Sequence, residues 1–471
     1  MKLRSFIPAT LIASDLLAFN ISPLLAGFFL YFITTDLYRY IPQAEINSRL
    51  LCYFLLSLLT TGWYGFKLKH YGERLPFWFE LKEILRTIVI FSIVDLAIIA
   101  FSKWEFSRYL WFATWILILI LVPTFRIAIK FAWQKANHYR VQAVILGGGE
   151  NALEAYEALE REKYLGYEFI ALLTVPGEKS PLADKLPLLT EESELKKLHN
   201  YRKLQYFIAT DIEQDKTREH WIKYLTSNHC HSISIIPTTR GVPLNNIKMS
   251  FLFSEEILIL NLNTSLTRLS SKILKRFFDI TISLILLSLL SPIFLFLSLF
   301  IIRDGGAPMY GHERVGRGGK KFKCWKFRSM LKNSQEILEN ILATDPSARA
   351  EWEKDFKLKN DPRITPLGHF IRRTSIDELP QLFNVLLGQM SLVGPRPVVQ
   401  EELLRYGENA DYYLLAKPGM TGLWQVSGRN DVDYDKRVYF DAWYVKNWSL
   451  WNDLAILFKT VNVVLNRRGA Y

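Results

Sequence analysis

The sequence predicts a membrane protein in three parts: an N-terminal four-helix transmembrane bundle, a Rossmann-like α/β middle domain, and a mainly helical C-terminal domain entered through a re-entrant membrane helix hairpin. Three observations carry this reading. Four apolar segments, at about 10–34, 48–66, 86–102 and 109–130, each approach the ~20 residues that cross a bilayer. Between 141 and 270, apolar strand-like runs alternate with polar helical ones, the βαβ pattern of a parallel sheet. A further apolar segment, 277–302, has a proline near its middle and positive charge at both ends. The domains are therefore drawn at 1–140, 141–270 and 271–471.

Composition narrows the class. Mean hydropathy is slightly positive, more apolar than an ordinary soluble chain of this size. The net charge of +12, on a chain that bears membrane segments, points to anionic lipid headgroups. Nucleic acid is excluded as a partner, because no zinc-finger spacing, RNP pattern or long basic run occurs. Three cysteines, far apart and odd in number, give no disulfide framework.

In the bundle, Lys2 and Arg4 precede the first span. Lys67, Lys69, Arg74, Lys82 and Arg86 lie between the second and third, and Arg126, Lys130, Lys135 and Arg140 follow the fourth. The positive-inside rule places both ends of the block in the cytoplasm. Asp15 and Asp95 lie inside spans, where a charge is costly; polar contacts within the bundle are the expected reason.

The middle domain starts with VQAVILGGGENALEAYEALE, which reads as strand, glycine turn and helix. Gly147, Gly149 and Ala152 fit the G-x-G-x-x-A dinucleotide fingerprint. The second strand, however, ends in Thr174-Val175, with no acid to hold a ribose diol, and no Tyr-x-x-x-Lys pair occurs between 141 and 270. The module is read as structural or regulatory, not redox. His229-Cys230-His231 lacks a third ligand nearby and is read as structural.

Segment 277–302 would extend ~39 Å as a straight helix, long enough to span. Ser291-Pro292 bends it. Lys272, Lys275 and Arg276 stand before it and Arg303 after, which satisfies the positive-inside rule only if both ends are cytoplasmic. A helix that enters and returns on one face meets this condition, with Ser288 and Ser291 as partners for the freed backbone groups.

The C-terminal part centres on 361–397, DPRITPLGHFIRRTSIDELPQLFNVLLGQMSLVGPRP. Asp377 and Glu378 open an amphipathic helix in which Leu379, Leu382, Phe383, Leu386 and Leu387 mark one buried face and Gly388 the stop. Pro380 is tolerated only in the first turn, so the acidic pair is expected at the positive end of the helix dipole. The plainer alternative is a capping box from Ser375 to Glu378 on a solvated helix start. Arg363, Arg372, Arg373 and Arg396 crowd the same stretch, which suits a carboxylate that must meet a phosphate. Upstream, 311–330 is rich in Lys, Arg and Gly without Walker spacing, and 331–360 reads as a charged amphipathic helix. The tail after 438 is rich in Trp and Tyr at a spacing suited to a membrane interface.

The order KRFFD, apolar segment with Ser-Pro, GHERVG-x-GG-K, KFRSM, DPRIT, TSIDELPQL, GPRP and KPGMTGLWQVSGR resembles the bacterial polyprenyl-phosphate hexose-1-phosphate transferases, the monotopic phosphoglycosyl transferases. The resemblance covers about 272–471; GHERVG and the terminal RRGAY resemble the galactose-transferring branch. It implies transfer of a sugar phosphate from a UDP-sugar to undecaprenyl phosphate with release of UMP, at the cytoplasmic face of the bacterial inner membrane. By this resemblance Asp377 is the nucleophile, forming an aspartyl phospho-sugar, and Glu378 holds Mg²⁺. Lys326, Arg328, Arg363, Arg372, Arg396 and Arg429 are the expected phosphate ligands, since Arg forks match phosphate oxygens. Lys275, Arg276, Asp279, Ser291 and Pro292 form the hairpin mouth, where they either guide the lipid phosphate or anchor the helix. Long members of the family imply a homodimer. Competing readings are UDP-glucose as donor, a membrane-tethered NAD-dependent nucleotide-sugar dehydratase, and a non-enzymatic polysaccharide scaffold.

Overall fold

The computed structural model describes residues 6–34, 40–175, 178–238, 248–251, 258–261, 269–303, 306–345, 349, 361–427 and 433–465. By packing, the chain divides into two compact units, Met1–Thr239 and Arg240–Tyr471. The bundle and the α/β domain, drawn separately from the sequence, therefore belong to one unit.

Four helices open that unit: α1 (Phe6–Thr34), α2 (Ile46–Gly62), α3 (Phe77–Phe101) and α4 (Arg108–Lys135). α1, α3 and α4 are long and apolar enough to cross a membrane. α2 has 17 residues and is lengthened by a π-helical turn, Trp63–Lys67. Phe19, Leu56, Tyr64, Ile88 and Ile118 fill the seam between the helices. Phe28, Phe32, Phe101 and Phe131 stand exposed on outer faces, as lipid contact requires.

Asp15 and Asp95 do meet partners inside the bundle. Arg126 grips Asp15 at 2.6 Å and Glu80 at 2.9 Å, Lys130 reaches Glu80 at 2.5 Å, and the Tyr71 hydroxyl donates to Asp15 at 2.6 Å. Asp95 accepts from the Trp115 indole N–H and the Tyr53 hydroxyl. Two cations against two carboxylates leave the Arg126 network neutral, the condition on which buried charge persists. The network also fastens the bundle to the sheet, because Tyr164 donates to Glu80 at 2.8 Å. Arg74 adds a second fastening: it donates to the carbonyls of Tyr139 and Leu165 and stacks on the Tyr139 ring.

The sheet comprises β1 (Val141–Leu146), β2 (Tyr167–Leu173), β3 (Leu188–Leu189), β4 (Gln205–Ile208) and β5 (Ser232–Ile235). Their order is β3-β2-β1-β4-β5, all parallel, as the alternating pattern predicted. Cys230 is buried in the sheet core, and no cluster of three metal-ligating side chains occurs among the described residues.

The second unit begins, in its described part, with two short paired strands and then the apolar helix Leu269–Ile302, 34 residues long with Pro292 inside. Helical structure runs unbroken through Ser291-Pro292, where the Ser291 hydroxyl donates to the Ser288 carbonyl at 2.9 Å, so the expected two limbs are one element. Both ends of this helix pack on the same folded domain. Phe278 and Ile282 lie against the core of Leu382 and Val385, while Leu297 and Ile301 lie against Phe327 and Ile371.

An antiparallel hairpin follows, Met309–Val315 with Lys321–Phe327, turned at Gly318 and Gly319, which both take positive φ. Ser334–Thr344 is the described part of the helix expected over 331–360. The aromatic tail forms helices Tyr434–Lys446 and Leu450–Leu465; Tyr439 and Phe458 are exposed, and the interface expectation is corrected for two of its aromatics. Tyr444 and Trp448 are buried, and both donate to the buried Asp453. Aromatic groups with a polar tip serve a core carboxylate as well as they serve a membrane surface.

Candidate active site

Thr365 caps the helix Pro366–Arg373 by accepting from the Gly368 N–H at 2.9 Å. Gly368 is required there: a Cβ would stand 2.0 Å from the Ser329 carbonyl oxygen. The chain then reverses at Ser375, a non-glycine residue with φ of +56°, immediately before the acidic pair. Such strain gathers at functional sites because the surrounding structure must enforce it.

Asp377 and Glu378 lie on a short 3₁₀ turn, Ile376–Glu378, and the α-helix proper is Gln381–Leu387. The sequence pattern alone puts the pair in the first turn of that helix. Proline explains the difference. With no N–H at Pro380, bonding passes through i→i−3 contacts: Leu379 N–H to Ile376 O at 3.1 Å and Phe383 N–H to Pro380 O at 3.0 Å. Ser375 makes no side-chain cap bond, so the capping box is not formed.

The buried face of Gln381–Leu387 also departs from the expected leucine stripe. Leu382 and Val385 are buried together with Gln381 and Asn384, whereas Phe383 and Leu387 are exposed. The helix lies between two surfaces. Leu382 and Val385 face the hairpin core, and Phe383 turns to the apolar helix, meeting Phe294 edge-on at 5.8 Å. Asn384, which sequence reasoning missed, ties this helix to the hairpin: it accepts from the Trp325 N–H and donates to the Lys323 carbonyl and to Gln389. A lone polar residue within an apolar run was its only signal.

Lys326, on the hairpin, donates to Glu378 Oε1 at 2.7 Å. Burial would lower the lysine pKa, but Glu378 and Asp377 outweigh it and hold the ammonium above its usual value. For Asp377, burial and then the Glu378 charge raise its pKa to about 6, against a smaller lowering by Lys326 and Arg372. Arg372 is steadied by the Ser329 hydroxyl, which accepts from its Nε at 2.8 Å. These four residues form the heart of the site. Two adjacent carboxylates suit a hard divalent cation that takes one or two protein oxygens and completes its shell from phosphate and water.

The other expected residues lie differently. Arg363 is clamped by Asp361 at 2.6 and 2.7 Å, both buried, and so braces its own loop. Arg328 donates to the Ile301 carbonyl at 2.9 Å. Arg396 lies with Arg437 and Trp424. Arg429 falls outside the described residues, as does the terminal RRGAY. At the hairpin mouth, Lys275 donates to Asp453 at 2.7 Å and to Val393 O and Tyr444. Arg276 donates to the carbonyls of Val385 and Leu386, both at 2.6 Å, closing the end of Gln381–Leu387. Asp279 accepts from the Ser391 hydroxyl and the Leu392 N–H. Of the two roles left open for these three, the geometry is that of an anchor.

A bacterial sugar transferase family model matches residues 270–467, and a CoA-binding domain model matches 73–234. The chain is 52% identical, over 97% of its length and 96% of the relative's, to an undecaprenyl-phosphate galactose phosphotransferase of Salmonella typhimurium. It is 52% identical, over 98% of its length and 97% of the relative's, to a UDP-galactose-lipid carrier transferase of Erwinia amylovora. A UDP-glucose:undecaprenyl-phosphate glucose-1-phosphate transferase of Escherichia coli is 29% identical over 83% of each chain.

The glycine turn after β1 does not fit the phosphates of coenzyme A or of a dinucleotide. The Asp211 carboxylate accepts from the Asn151 N–H at 3.1 Å, and one of its oxygens lies 1.6 Å from where a Cβ on Gly149 would be. Glu178 stands 2.8 Å from the corresponding point on Gly148. Two carboxylates hold the place a phosphate would take at this helix N-terminus.

Proposed function

The chain belongs to the bacterial sugar transferases, and from that premise we propose that it transfers galactose 1-phosphate from UDP-galactose to undecaprenyl phosphate, releasing UMP. Identity of 52% over nearly the whole chain to two proteins named for galactose, against 29% to one named for glucose, favours this sugar. The product is a lipid-borne sugar diphosphate of the kind that starts surface polysaccharide assembly.

In this reading Asp377 is the nucleophile. Its carboxylate oxygen bonds the β-phosphorus of the donor, the bond from that phosphorus to the bridging oxygen breaks, and the electron pair leaves with UMP. An oxygen of undecaprenyl phosphate then bonds the same phosphorus, and cleavage of the aspartyl ester restores the carboxylate. The observation that carries this assignment is the inequality of the pair: Glu378 has Lys326 as a direct partner at 2.7 Å, while Asp377 is pushed up to about 6. A carboxylate with a pKa of about 6 is ionised at neutral pH and more basic than an ordinary one. Glu378 would hold Mg²⁺, which when bound supplies neutralisation of the diphosphate charge. Lys326 and Arg372 place positive charge beside Asp377 and lower the repulsion a phosphate meets there.

The site is proposed to lie at the cytoplasmic face of the inner membrane, with 277–302 dipping into one leaflet. Support comes from the two ends of the helix, since Arg276 donates to the Val385 and Leu386 carbonyls and Arg328 to the Ile301 carbonyl, so both ends are held by the same domain. Phe383 beside Phe294 then sets the acidic pair next to lipid. The homodimer implied by the resemblance belongs to the same reading, and light scattering in nanodiscs reads it directly.

The test is UMP release from a panel of UDP-sugars with undecaprenyl phosphate and Mg²⁺, beside trapping of label from a β-³²P donor without acceptor. UDP-galactose is expected to be the best donor. Wild type should carry protein-bound label, and Asp377→Asn neither label nor turnover. Turnover with UDP-glucose alone corrects the sugar and leaves the chemistry standing; turnover by Asp377→Asn removes the nucleophile.

A further inference from the structure

One strand along from the blocked glycine turn, the carboxyl edge of the parallel sheet opens into a cavity of about 550 Å³. The residues that follow β2 and β3 form two of its sides, and the first two turns of the helix Asp215–Ser227 form a third. Open parallel sheets take their ligands outside the carboxyl ends of the strands, and the volume lies within the range of small-molecule sites. Glu178 stands between the cavity and the turn: it accepts from the Val175 N–H at 3.4 Å and from Gln214 Nε2 at 3.0 Å. An occupant of the cavity is therefore not held as the glycine fingerprint would hold it.

Leu173, Val175 and the Trp221 ring make much of the lining apolar. Two polar groups interrupt it. Thr174 is 3% exposed and Trp221 4%, yet neither the hydroxyl nor the indole N–H has a hydrogen-bond partner among the described residues. Buried polar groups are ordinarily satisfied, so two such groups on one cavity mark where the polar atoms of an occupant belong. The indole can only donate, whereas the hydroxyl donates or accepts. An occupant must offer an acceptor to Trp221 and a second polar atom to Thr174.

Charge at the mouth narrows the class. Glu192 pairs with His220 at 2.9 Å, while Glu191 accepts from the Ser193 hydroxyl at 3.0 Å and caps the short helix Glu192–Leu195. Lys216 lines the same mouth and pairs with no carboxylate among the described residues. An anion would meet Lys216 but face both glutamates; a cation would meet the glutamates but face Lys216. An uncharged molecule avoids both penalties. A sugar would set hydroxyls against Leu173 and Val175 without partners. A nitrogen heterocycle has apolar faces and carries its donors and acceptors on its edge.

We propose that this cavity binds an uncharged nitrogen heterocycle of the nucleobase kind, its edge hydrogen-bonded to Trp221 and Thr174. The site binds and does not react, because the one imidazole in its lining, His220, is engaged by Glu192 and no thiol lines it. This fits a regulatory part for the α/β domain, exercised through residues outside the glycine fingerprint.

The experiment is calorimetric titration of the full-length protein in nanodiscs with uridine, cytidine, adenosine and inosine, which present four different base edges without a phosphate. At least one should bind with a Kd below about 1 mM. Trp221→Phe, which keeps a ring but loses the N–H, and Thr174→Val, which keeps the shape but loses the hydroxyl, should each weaken it about tenfold. Thr174→Val serves if the tryptophan variant does not fold. Lys216→Ala should leave the affinity within about twofold. Binding by none of the four overturns the proposal, as does binding that neither Trp221→Phe nor Thr174→Val weakens, which places the nucleoside elsewhere on the protein. Loss of binding in Lys216→Ala overturns it too, since the site is then an anion's.

Discussion

Lys326 Nζ lies 2.7 Å from Glu378 Oε1, so of two neighbouring carboxylates one has a counter-ion in direct contact and the other has only charge at a distance. Burial and the neighbouring Glu378 charge then push the Asp377 pKa up to about 6, and this gives the site its pH behaviour.

Asp377 must be ionised to attack, so UMP release should fall about tenfold per pH unit below pH 6. Lys326→Met removes a charge that lowers the Asp377 pKa, and the acidic limb of the profile should move to higher pH. A pH–rate series on both proteins checks this; a limb that stays in place separates the two residues.

The same residue should weaken the fold it serves. Its folded pKa of about 6 stands above the reference 3.8, so the folded state binds the proton more tightly than the unfolded chain does. The resulting destabilisation is absent below 3.8, grows between 3.8 and about 6, and is complete above that. Asp377→Asn should therefore raise stability at pH 7.5 by on the order of 1–3 kcal/mol, with the gain fading by pH 4. Unfolding midpoints at the two pH values measure it.

Arg276 closes the helix that follows the acidic pair by donating to Val385 O and Leu386 O. Arg276→Met should lower stability by ~2–4 kcal/mol, the scale of two charge-assisted hydrogen bonds, and reduce kcat. The KM for undecaprenyl phosphate should stay within about twofold; a selective rise in that constant would make Arg276 an acceptor ligand.

In the bundle, Arg126→Leu leaves the buried Asp15 without a cation, while Glu80 keeps Lys130, and should cost about 3–5 kcal/mol. Adding Asp15→Leu should recover part of this, since a stranded charge is worse than a missing pair. Thermal unfolding of the single and double variants reads both effects.

Much of this architecture is written in local pattern. The spans follow from hydropathy, the parallel sheet from alternation, and Asp377-Glu378 from a motif packed into adjacent positions. What escaped depends on partners distant in sequence. Nothing near Lys275 announces Asp453, 178 positions away, and nothing near Trp325 announces Asn384. Pro380 was legible as a constraint on the helix start, but its effect, a 3₁₀ turn in place of an α-helical one, follows from where the surrounding carbonyls sit. The leucine stripe misled because one helix serves two apolar neighbours at once. The glycine fingerprint was discounted for want of an acid at the end of the second strand; that Asp211, 62 residues beyond Gly149, fills the turn was not legible.

Apolar exterior is divided between the two units: Phe28 and Phe101 in the first, Leu289, Leu295 and Leu299 in the second. Each half therefore has its own hold on a bilayer. A fragment shorn of its first 239 residues would still partition into vesicles and demand a detergent belt during purification, so a soluble crystallisation target is not to be had by trimming the amino-terminal half alone.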